Sequence, residues 1–356
     1  MRLKRTDIIA AASAVLVAGT AIGAATSQPV PEMKAVLDAL TSLGGKPIET
    51  LTPAEARRQP TPVDAVKKVL QQQGKPATQE AVANVEDRMV PGAAGPIPIR
   101  IYTPSGTGPF PVLFYIHGGG WVLANLDTYD ASARALTNAA GAVVVSTHYR
   151  QAPEHPYPAA HDDVFATYQW TLKNASSING DESKVAIAGE SAGGNMAAVV
   201  SMRARDSGVT LPVHQLLVYP VAGSDMNTES YRENANARPL NTPMMEWFAK
   251  HYFGTRAIGN AELELSKANL KGLPATTIIT ADIDPLRTDG QNLAKALQAA
   301  GVGVSSRNYE GSAHEFFGMT AVLPDAKDAV AFAAAELKRS FASTRAVTGT
   351  SGRQPR

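Results

Sequence analysis

The chain of 356 residues contains no cysteine. Without cysteine there is no disulfide, no thiolate nucleophile and no cysteine-ligated metal, and the fold does not depend on redox state. An excess of charge is also missing, because 33 basic residues are balanced by 32 acidic ones. A chain this close to neutral lacks the positive field that gathers nucleic acid or anionic membranes, so neither is expected as a partner. Its 44% hydrophobic and 18% charged residues are typical of a globular protein.

Long apolar runs are scarce as well, and the exception lies near the N-terminus. Arg2, Lys4 and Arg5 precede an apolar stretch rich in alanine and glycine over residues 8–25, and small residues follow it. This order predicts a signal peptide at 1–27 and export to the periplasm or the medium. An uncleaved anchor is the alternative, because roughly 17–20 apolar residues can span a bilayer. After cleavage no stable membrane partner is expected.

The rest of the chain has two parts that differ in the spacing of their hydrophobic residues. Apolar residues three and four apart at 31–45 and 62–75, each with glycine near the end, predict amphipathic helices. From about residue 87 shorter apolar or alternating runs predict strands. These runs are 88–92, 97–104, 111–118, 142–149, 184–191, 214–220, 275–282 and 304–311. Stretches of helical length lie between most of them, at 127–141, 161–175, 193–208 and 289–301.

The alternation of strands and helices predicts an α/β fold, with a mostly parallel sheet and helices on both of its faces. Residues 225–271 interrupt the alternation with aromatic, methionine and polar residues, which indicates an insertion. The predicted core therefore has two parts, 87–224 and 272–341. Residues 342–356 lack apolar periodicity and are predicted to be disordered. Function is expected at the carboxyl ends of the strands.

The strongest local motif is a glycine-rich turn between a buried strand and a helix. Gly189, Ser191 and Gly193 form a G-x-S-x-G pattern. In such a turn the serine hydroxyl is exposed at the sheet edge, near the N–H groups of a helix N-terminus. The pattern predicts a nucleophilic serine. A glycine-rich turn that binds phosphate or only packs is the alternative.

A nucleophilic serine needs a base and a group that orients the base. The histidines are His117, His148, His155, His161, His214, His251 and His314. His314 is favoured because it follows the last predicted strand, where the chain order serine, acid, histidine places the base. For the acid, Asp282 and Asp284 both follow a predicted strand, and Pro285 fixes a turn after Asp284. The sequence does not separate these two aspartates.

Five motifs in this order resemble the hormone-sensitive-lipase-like family of α/β-hydrolase esterases, also called bacterial family IV. They are HGGGW at 117–121, YRQAPEHPYPAA at 149–160, GESAGGN at 189–195, DPLRTDG at 284–290 and GSAHEFF at 311–317. The similarity covers about residues 88–340. It implies the α/β-hydrolase fold, with a mainly helical cap formed by an N-terminal segment, 28–86, and the insertion, 225–271.

The resemblance implies a lipase-like serine carboxylesterase that acts on short- to medium-chain acyl esters, without a metal or an organic cofactor. Ser191 is then the nucleophile, Asp284 the acid and His314 the base of a reaction through an acyl-enzyme. The triple glycine marks a place where the backbone bends or approaches something closely, and the family uses it for oxyanion-hole N–H groups. These N–H groups are assigned to Gly118, Gly119, Gly120 and Ala192, with Gly119 favoured among the glycines.

The sequence departs from the family pattern near the site. Glu315 follows the histidine where the family usually has glycine. Thr288 and Asp289 stand where an acidic pair is common, and His148 occupies a place often held by aspartate. None of these changes removes a triad residue. Glu315 is expected to narrow the pocket or to place charge near it.

Substrate contacts are expected from the cap and from the glycine loop. The candidates are Trp121, Met244, Met245, Trp247, Phe248 and Tyr252. Packing of the cap onto the core is the alternative for each of them. For the whole protein, the alternatives are a non-catalytic small-molecule receptor of the same fold, a hydrolase of amides or carbamates, and an acyltransferase. The expected partner is a small-molecule ester, bound by a monomer or a homodimer.

Overall fold

The computed structural model describes residues 27–256 and 259–343. Residues 1–26 of the predicted signal peptide and residues 344–356 of the predicted tail lie outside the described residues. Within the described ranges, no helix has both the length and the apolar character needed to cross a bilayer.

Three helices precede the sheet. They are α1 (Pro31–Ser42), α2 (Pro53–Ala56) and α3 (Pro62–Gln72). Thr52 and Thr61 begin α2 and α3 with capping boxes, in which each threonine side chain accepts a backbone N–H three residues ahead. Met33 of α1 and Val69 of α3 are buried in the same hydrophobic cluster as one face of the sheet. The N-terminal segment is therefore packed onto the core.

One sheet of eight strands forms the centre of the molecule. The strands are β1 (Asn84–Gly92), β2 (Gly95–Thr103), β3 (Phe110–Ile116), β4 (Val143–Thr147), β5 (Gly180–Glu190), β6 (Gln215–Val218), β7 (Thr276–Ile283) and β8 (Val304–Ala313). Their order is β1-β2-β4-β3-β5-β6-β7-β8. The strand β2 pairs antiparallel with β1 and β4, and the other pairs are parallel. The predicted α/β fold is confirmed, although β1 begins at Asn84, slightly before the predicted boundary.

Helices cover both faces of this sheet. They are α4 (Asp130–Ala140), α5 (Ala159–Asn174), α6 (Ala192–Ser207), α7 (Glu229–Glu233), α8 (Thr242–Tyr252), α9 (Arg287–Ala299) and α10 (Pro324–Ala342). Alternate residues of β3 point to opposite faces, as the pleat requires. Phe114 belongs to the cluster that contains buried residues of α5, α6 and α9, whereas Tyr115 belongs to the cluster with those of α4 and α10.

The insertion between β6 and β7 contributes α7 and α8 and no strand among its described residues. The side chain of Asn241 begins α8 by accepting the N–H of Met244 at 2.8 Å. Trp247 of α8 donates its indole N–H to the carbonyl of Leu51 at 3.1 Å. The insertion and the N-terminal segment are therefore in direct contact above the sheet.

Candidate active site

Ser191 lies in the turn between β5 and α6. Its backbone has φ 57° and ψ −119°, a strained conformation that costs about 1–3 kcal/mol. The turn leaves no room for a side chain two residues before or two residues after the serine. A Cβ on Gly193 would lie 2.1 Å from the carbonyl oxygen of Ile116, and one on Gly189 would lie 2.1 Å from that of Gly193. The glycines of the motif therefore allow the turn that presents the serine hydroxyl.

The serine, a histidine and an aspartate form one hydrogen-bonded chain. The Oγ of Ser191 lies 3.0 Å from Nε2 of His314. The Nδ1 of His314 lies 2.7 Å from Oδ2 of Asp284. Because a carboxylate only accepts, Nδ1 donates to Asp284, and Nε2 is left to accept the serine proton. The structure thus brings together the three residues predicted from the sequence, in the arrangement of a catalytic triad.

The electrostatic surroundings of His314 favour its protonated form. Burial by itself lowers the pKa of an imidazole, but the charge and the hydrogen bond of Asp284 act in the opposite direction. The carboxyl groups of Glu315 and Glu190 add to the effect of Asp284, and the pKa of His314 is raised. A histidine that gains a proton from serine during the reaction is stabilised by this arrangement.

The two aspartates that the sequence could not separate have different partners. Asp284 is fully buried, and its Oδ1 accepts the N–H of Leu286 at 2.9 Å. Asp282 instead accepts from Arg287 at 3.0 Å. Only Asp284 reaches the imidazole, so the geometry assigns it the acid position. Asp289, on the following helix, is buried without contacting His314, and its Oδ2 accepts the N–H of Ala222 at 3.0 Å.

The glycine loop runs from the end of β3 to the mouth of the site. Gly119 and Gly120 have φ of 89° and 58°, and both line the same cavity as Ser191. Gly118 does not line this cavity, and its carbonyl accepts from the hydroxyl of Tyr149 at 2.8 Å. Among the described contacts, the N–H groups of Gly119, Gly120 and Ala192 donate to no other residue. These three groups are free to bind a ligand. The N–H of Gly118 likewise has no partner among these contacts, and its predicted place in the oxyanion hole stays a prediction.

The other buried histidines have structural partners. His117 donates from Nδ1 to the carbonyl of Gly118 at 2.9 Å and faces His148 with Nε2, and burial with the neighbouring His148 lowers its pKa to about 3. His161 contacts Tyr252 at 2.6 Å, and burial lowers its pKa to about 4. None contacts Ser191. In residues 27–256 and 259–343, no group of three or more histidine, aspartate or glutamate side chains could hold a metal ion.

A cavity of about 630 Å³ opens above Ser191. It is bounded by the glycine loop on one side and by the N-terminal segment and the insertion on the other. Four of the predicted contact residues line it, namely Trp121, Met244, Met245 and Phe248. Trp247 and Tyr252 do not, and for these two the prediction of a lining position is wrong. The indole of Trp247 donates to the carbonyl of Leu51, and the hydroxyl of Tyr252 contacts the ring of His161.

The sequence did not predict a buried carboxylate cluster beside the triad. Glu190, the residue before the nucleophile, is 1% exposed and accepts from the hydroxyls of Tyr115, at 2.5 Å, and Tyr219. Burial raises the pKa of Glu190 to about 7; the charge of Glu315 adds to this rise, and the two tyrosines oppose it. The second position of G-x-S-x-G, which Glu190 occupies, was the only available signal, and it does not say which side chains converge there.

Glu315 belongs to the same cluster and lines the cavity. Its Oε1 accepts from the hydroxyl of Tyr129 at 2.6 Å and lies 3.9 Å from Nε2 of His314. Its backbone has φ 70°, in the left-handed region where a non-glycine residue costs about 1–2 kcal/mol. Glycine, which the family resemblance implies at this position, would adopt this conformation without that cost. The sequence-based expectation of charge near the pocket agrees with this placement.

A comparison with protein families agrees with this geometry. The model of the α/β-hydrolase fold family matches residues 113–318, which contain the glycine loop and all three triad residues. The chain belongs to this family, in its hormone-sensitive-lipase-like branch. The match covers more than half of the 356 residues and ends shortly after His314.

Individual relatives of this hydrolase are esterases. It is 42% identical over 251 residues to the carboxylesterase NlhH of Mycobacterium tuberculosis, covering 69% of this chain and 79% of that protein. It is 32% identical over 257 residues to an arylesterase of Saccharolobus solfataricus, covering 71% and 83%. The solved structure of a thermostable esterase from Pseudomonas putida ECU1011 superposes with a TM-score of 0.81 at 34% identity, covering 90% of this chain and 100% of that one. The hydrolase is a carboxylic ester hydrolase, and its substrates are small-molecule esters.

Proposed function

We propose that this esterase hydrolyses short- to medium-chain acyl esters through an acyl-enzyme intermediate. The observation that carries the proposal is the chain of hydrogen bonds from Ser191 through His314 to Asp284, with distances of 3.0 and 2.7 Å. His314 takes the serine proton as Oγ attacks the ester carbonyl, and then returns it to the leaving alcohol. Asp284 keeps the imidazole in the tautomer that accepts this proton. Water attacks the acyl-enzyme in the second half of the reaction, again with His314 as base.

The N–H groups of Gly119, Gly120 and Ala192 form the proposed oxyanion hole. Support comes from the free N–H groups at the cavity edge and from the position of Ala192 as the first residue of α6. The first N–H groups of a helix have no partner within the helix and favour negative charge. Each preorganised donor of this kind is worth about a hundred- to a thousandfold in rate.

Cavity size supports the expected acyl chain length. A volume of about 630 Å³ lies within the range of about 300–1,000 Å³ that is usual for small-molecule sites. Residues of the insertion and of the N-terminal segment close the cavity from above, which leaves less room for a long acyl chain than an open groove would.

The proposal is tested with p-nitrophenyl esters from acetate to palmitate, using the full chain and its Ser191→Ala variant. We expect turnover that is highest for short or medium chains and absent in the variant. Binding of these esters without turnover would favour the receptor alternative. Turnover of an amide, or transfer of the acyl group to an added alcohol in preference to water, would redirect the proposal to the other hydrolase and transferase alternatives.

Phe248 is expected to limit acyl chain length. Its ring lies against Gly120, where an added Cβ would be 2.2 Å from the ring. Replacing Phe248 by alanine enlarges the cavity beside the oxyanion loop, so longer acyl chains should be favoured. Each further CH₂ that becomes buried should raise kcat/KM about fourfold, since it contributes about 0.8 kcal/mol. The measurement is the ratio of kcat/KM for octanoate and acetate esters.

Trp247→Ala is the matched control for this prediction. Both side chains are buried on α8, and both truncations are expected to lower the free energy of unfolding by about 3–5 kcal/mol. Because Trp247 does not line the cavity, its variant should retain the wild-type ratio. If both variants changed the octanoate-to-acetate ratio of kcat/KM equally, the effect would come from a displacement of α8 and not from the loss of the Phe248 ring.

We also propose that the mature enzyme is exported. The support is the sequence of residues 1–27, where basic residues precede an apolar stretch and small residues. The N-terminal sequence of the protein recovered from the periplasm or the medium should begin close to residue 28. Recovery of an uncleaved chain in the membrane fraction would favour the anchor instead.

A further inference from the structure

Besides Asp284, the carboxylate of Glu315 lies close to a ring nitrogen of His314. Asp284 lies 2.7 Å from Nδ1, as in any such triad. The Oε1 of Glu315 lies 3.9 Å from Nε2, the nitrogen that also lies 3.0 Å from Ser191 Oγ. The second carboxylate is therefore on the side of the ring where the proton arrives from serine.

We propose that Glu315 is an electrostatic positioning residue that stabilises the protonated form of His314 from its serine-facing side. This inference rests on the proposed mechanism, because it requires His314 to gain a proton. In this role Glu315 does not replace Asp284 and does not take the proton itself. It acts through His314, and it sets the lower end of the pH range in which the esterase works.

The distance determines how Glu315 acts. A separation of 3.9 Å is too long for a hydrogen bond, so Nε2 remains available to Ser191. A carboxylate at about 4–6 Å still favours the charged form of an imidazole. The His314 side chain is 4% exposed and that of Glu315 is 21% exposed, so solvent and salt screen the pair only weakly. The interaction is therefore one of charge rather than of hydrogen-bond geometry.

Few groups lie close enough to the imidazole ring of His314 to stabilise its protonated form. His314 is faced by Asp284 after β7, by Glu190 at the end of β5, by the ring of Tyr219 after β6 at 4.5 Å, and by Glu315. In the described part of the chain, Glu315 forms no ion pair except with His314. Since no arginine or lysine of the described residues is paired with Glu315, its carboxylate interacts with the protonated imidazole of His314.

Tyr129 and the backbone hold Glu315 in place. The hydroxyl of Tyr129, just before α4, donates to Oε1 at 2.6 Å, which favours the ionised carboxylate. Burial raises the pKa of Glu315, and the neighbouring His314 and Tyr129 oppose that rise. The left-handed backbone would be satisfied better by glycine. Strained residues that persist tend to lie at functional sites, and here the side chain points at the reacting nitrogen.

The experiment is the pH dependence of kcat and kcat/KM for Glu315→Gln, followed in a pH-stat with a neutral short-chain ester. The unprotonated His314 is the active base, so activity falls as pH drops through its pKa. Removing the negative charge lowers that pKa. We expect the acid limb of kcat/KM to move to lower pH by about one unit, while the plateau value of kcat falls about tenfold, since one pKa unit corresponds to a tenfold effect.

Glutamine keeps the size of the side chain and can still accept from Tyr129, which makes the variant a test of charge. Glu315→Asp keeps the charge, and aspartate tolerates left-handed backbone well. Its acid limb should stay close to that of the wild type. Glu182→Gln removes an exposed carboxylate at the far end of β5 and is the control for a general loss of negative charge. Its profile should be unchanged.

Several outcomes would overturn the inference. A folded Glu315→Gln enzyme whose acid limb does not move would exclude an electrostatic role, even if its kcat were lower. A rise in KM without a shift of the limb would make Glu315 a residue that shapes the pocket. Activity that survives in Ser191→Ala would instead contradict the proposed mechanism itself, so the two failures are distinguishable.

Discussion

Replacing Ser191 by alanine is expected to lower kcat about a millionfold, the loss that accompanies removal of the nucleophile from a preorganised triad. The Oγ of Ser191 is the only atom of that side chain that reaches Nε2 of His314, at 3.0 Å. Without it no acyl-enzyme forms. The measurement is the pre-steady-state release of p-nitrophenol, in which the wild type should show a burst if deacylation is slower than acylation, and the variant should show none.

Ser201→Ala is the matched control for this variant. Ser201 is a fully buried serine of α6, two turns or more beyond the nucleophile, and its hydroxyl donates to the carbonyl of Ala197 at 3.1 Å. Losing this hydrogen bond should cost about 0.5–1.5 kcal/mol of stability and leave kcat near the wild-type value. If both variants lost activity equally, the loss would have to be attributed to disturbed packing of α6 and not to the chemistry of Ser191.

The order of strands and helices was predictable because each strand of the core carries its own local signal. Runs such as 184–191 are apolar, short and bounded by residues that favour turns, and parallel strands covered on both faces require this composition. The nucleophile turn was predictable for a similar reason. Gly189 and Gly193 are required by contacts within a few residues and with β3, so the constraint is visible as a pattern of glycines.

Side-chain directions within the cap were not predictable. Trp247 and Phe248 are neighbours on α8, and both are buried aromatic residues. Adjacent residues of a helix point about 100° apart and need not share a surface. Met244 and Met245 both line the cavity, whereas of Trp247 and Phe248 only Phe248 does. Which one does so depends on where α8 lies over the sheet. The same limit applies to Tyr252, whose hydroxyl contacts His161 on α5 instead of the cavity.

The cluster formed by the carboxylates of Glu190 and Glu315 could not be predicted from the sequence for a different reason. Glu190, Glu315 and their tyrosine partners come from distant parts of the chain, and their hydrogen bonds join residues 75 and 186 positions apart. Neither hydrophobic periodicity nor a short motif indicates that residues so far apart in the sequence are in contact. The sequence shows Glu315 where the family resemblance implies glycine. The consequence of this difference depends on the position of His314 and on the left-handed backbone.

Asp284→Asn is expected to lower kcat about ten-thousandfold while the fold is retained. The N–H of Leu286 donates to Oδ1 of Asp284 at 2.9 Å and would orient the new amide with its carbonyl toward Leu286. Its NH₂ group would then face Nδ1 of His314. Two donors cannot pair, so the imidazole would carry its proton on Nε2 and could no longer accept one from Ser191. The measurement is the low-field proton signal of Nδ1–H, which we expect in the wild type and not in the variant.

Asp282→Asn is the control that isolates this effect, because it makes the same chemical change two residues away. The carboxylate of Asp282 pairs with Arg287 at 3.0 Å and does not reach the imidazole. Because the pair is largely buried, weakening it should cost about 1.5–3 kcal/mol of stability. It should change kcat by no more than severalfold. Asp282 lies near the end of β7 and Asp284 directly after it, so any general disturbance at this end of the strand would affect both variants. A larger loss of kcat in Asp282→Asn than in Asp284→Asn would therefore refute the assignment of the acid, whatever the hydrogen bonds to His314 indicate.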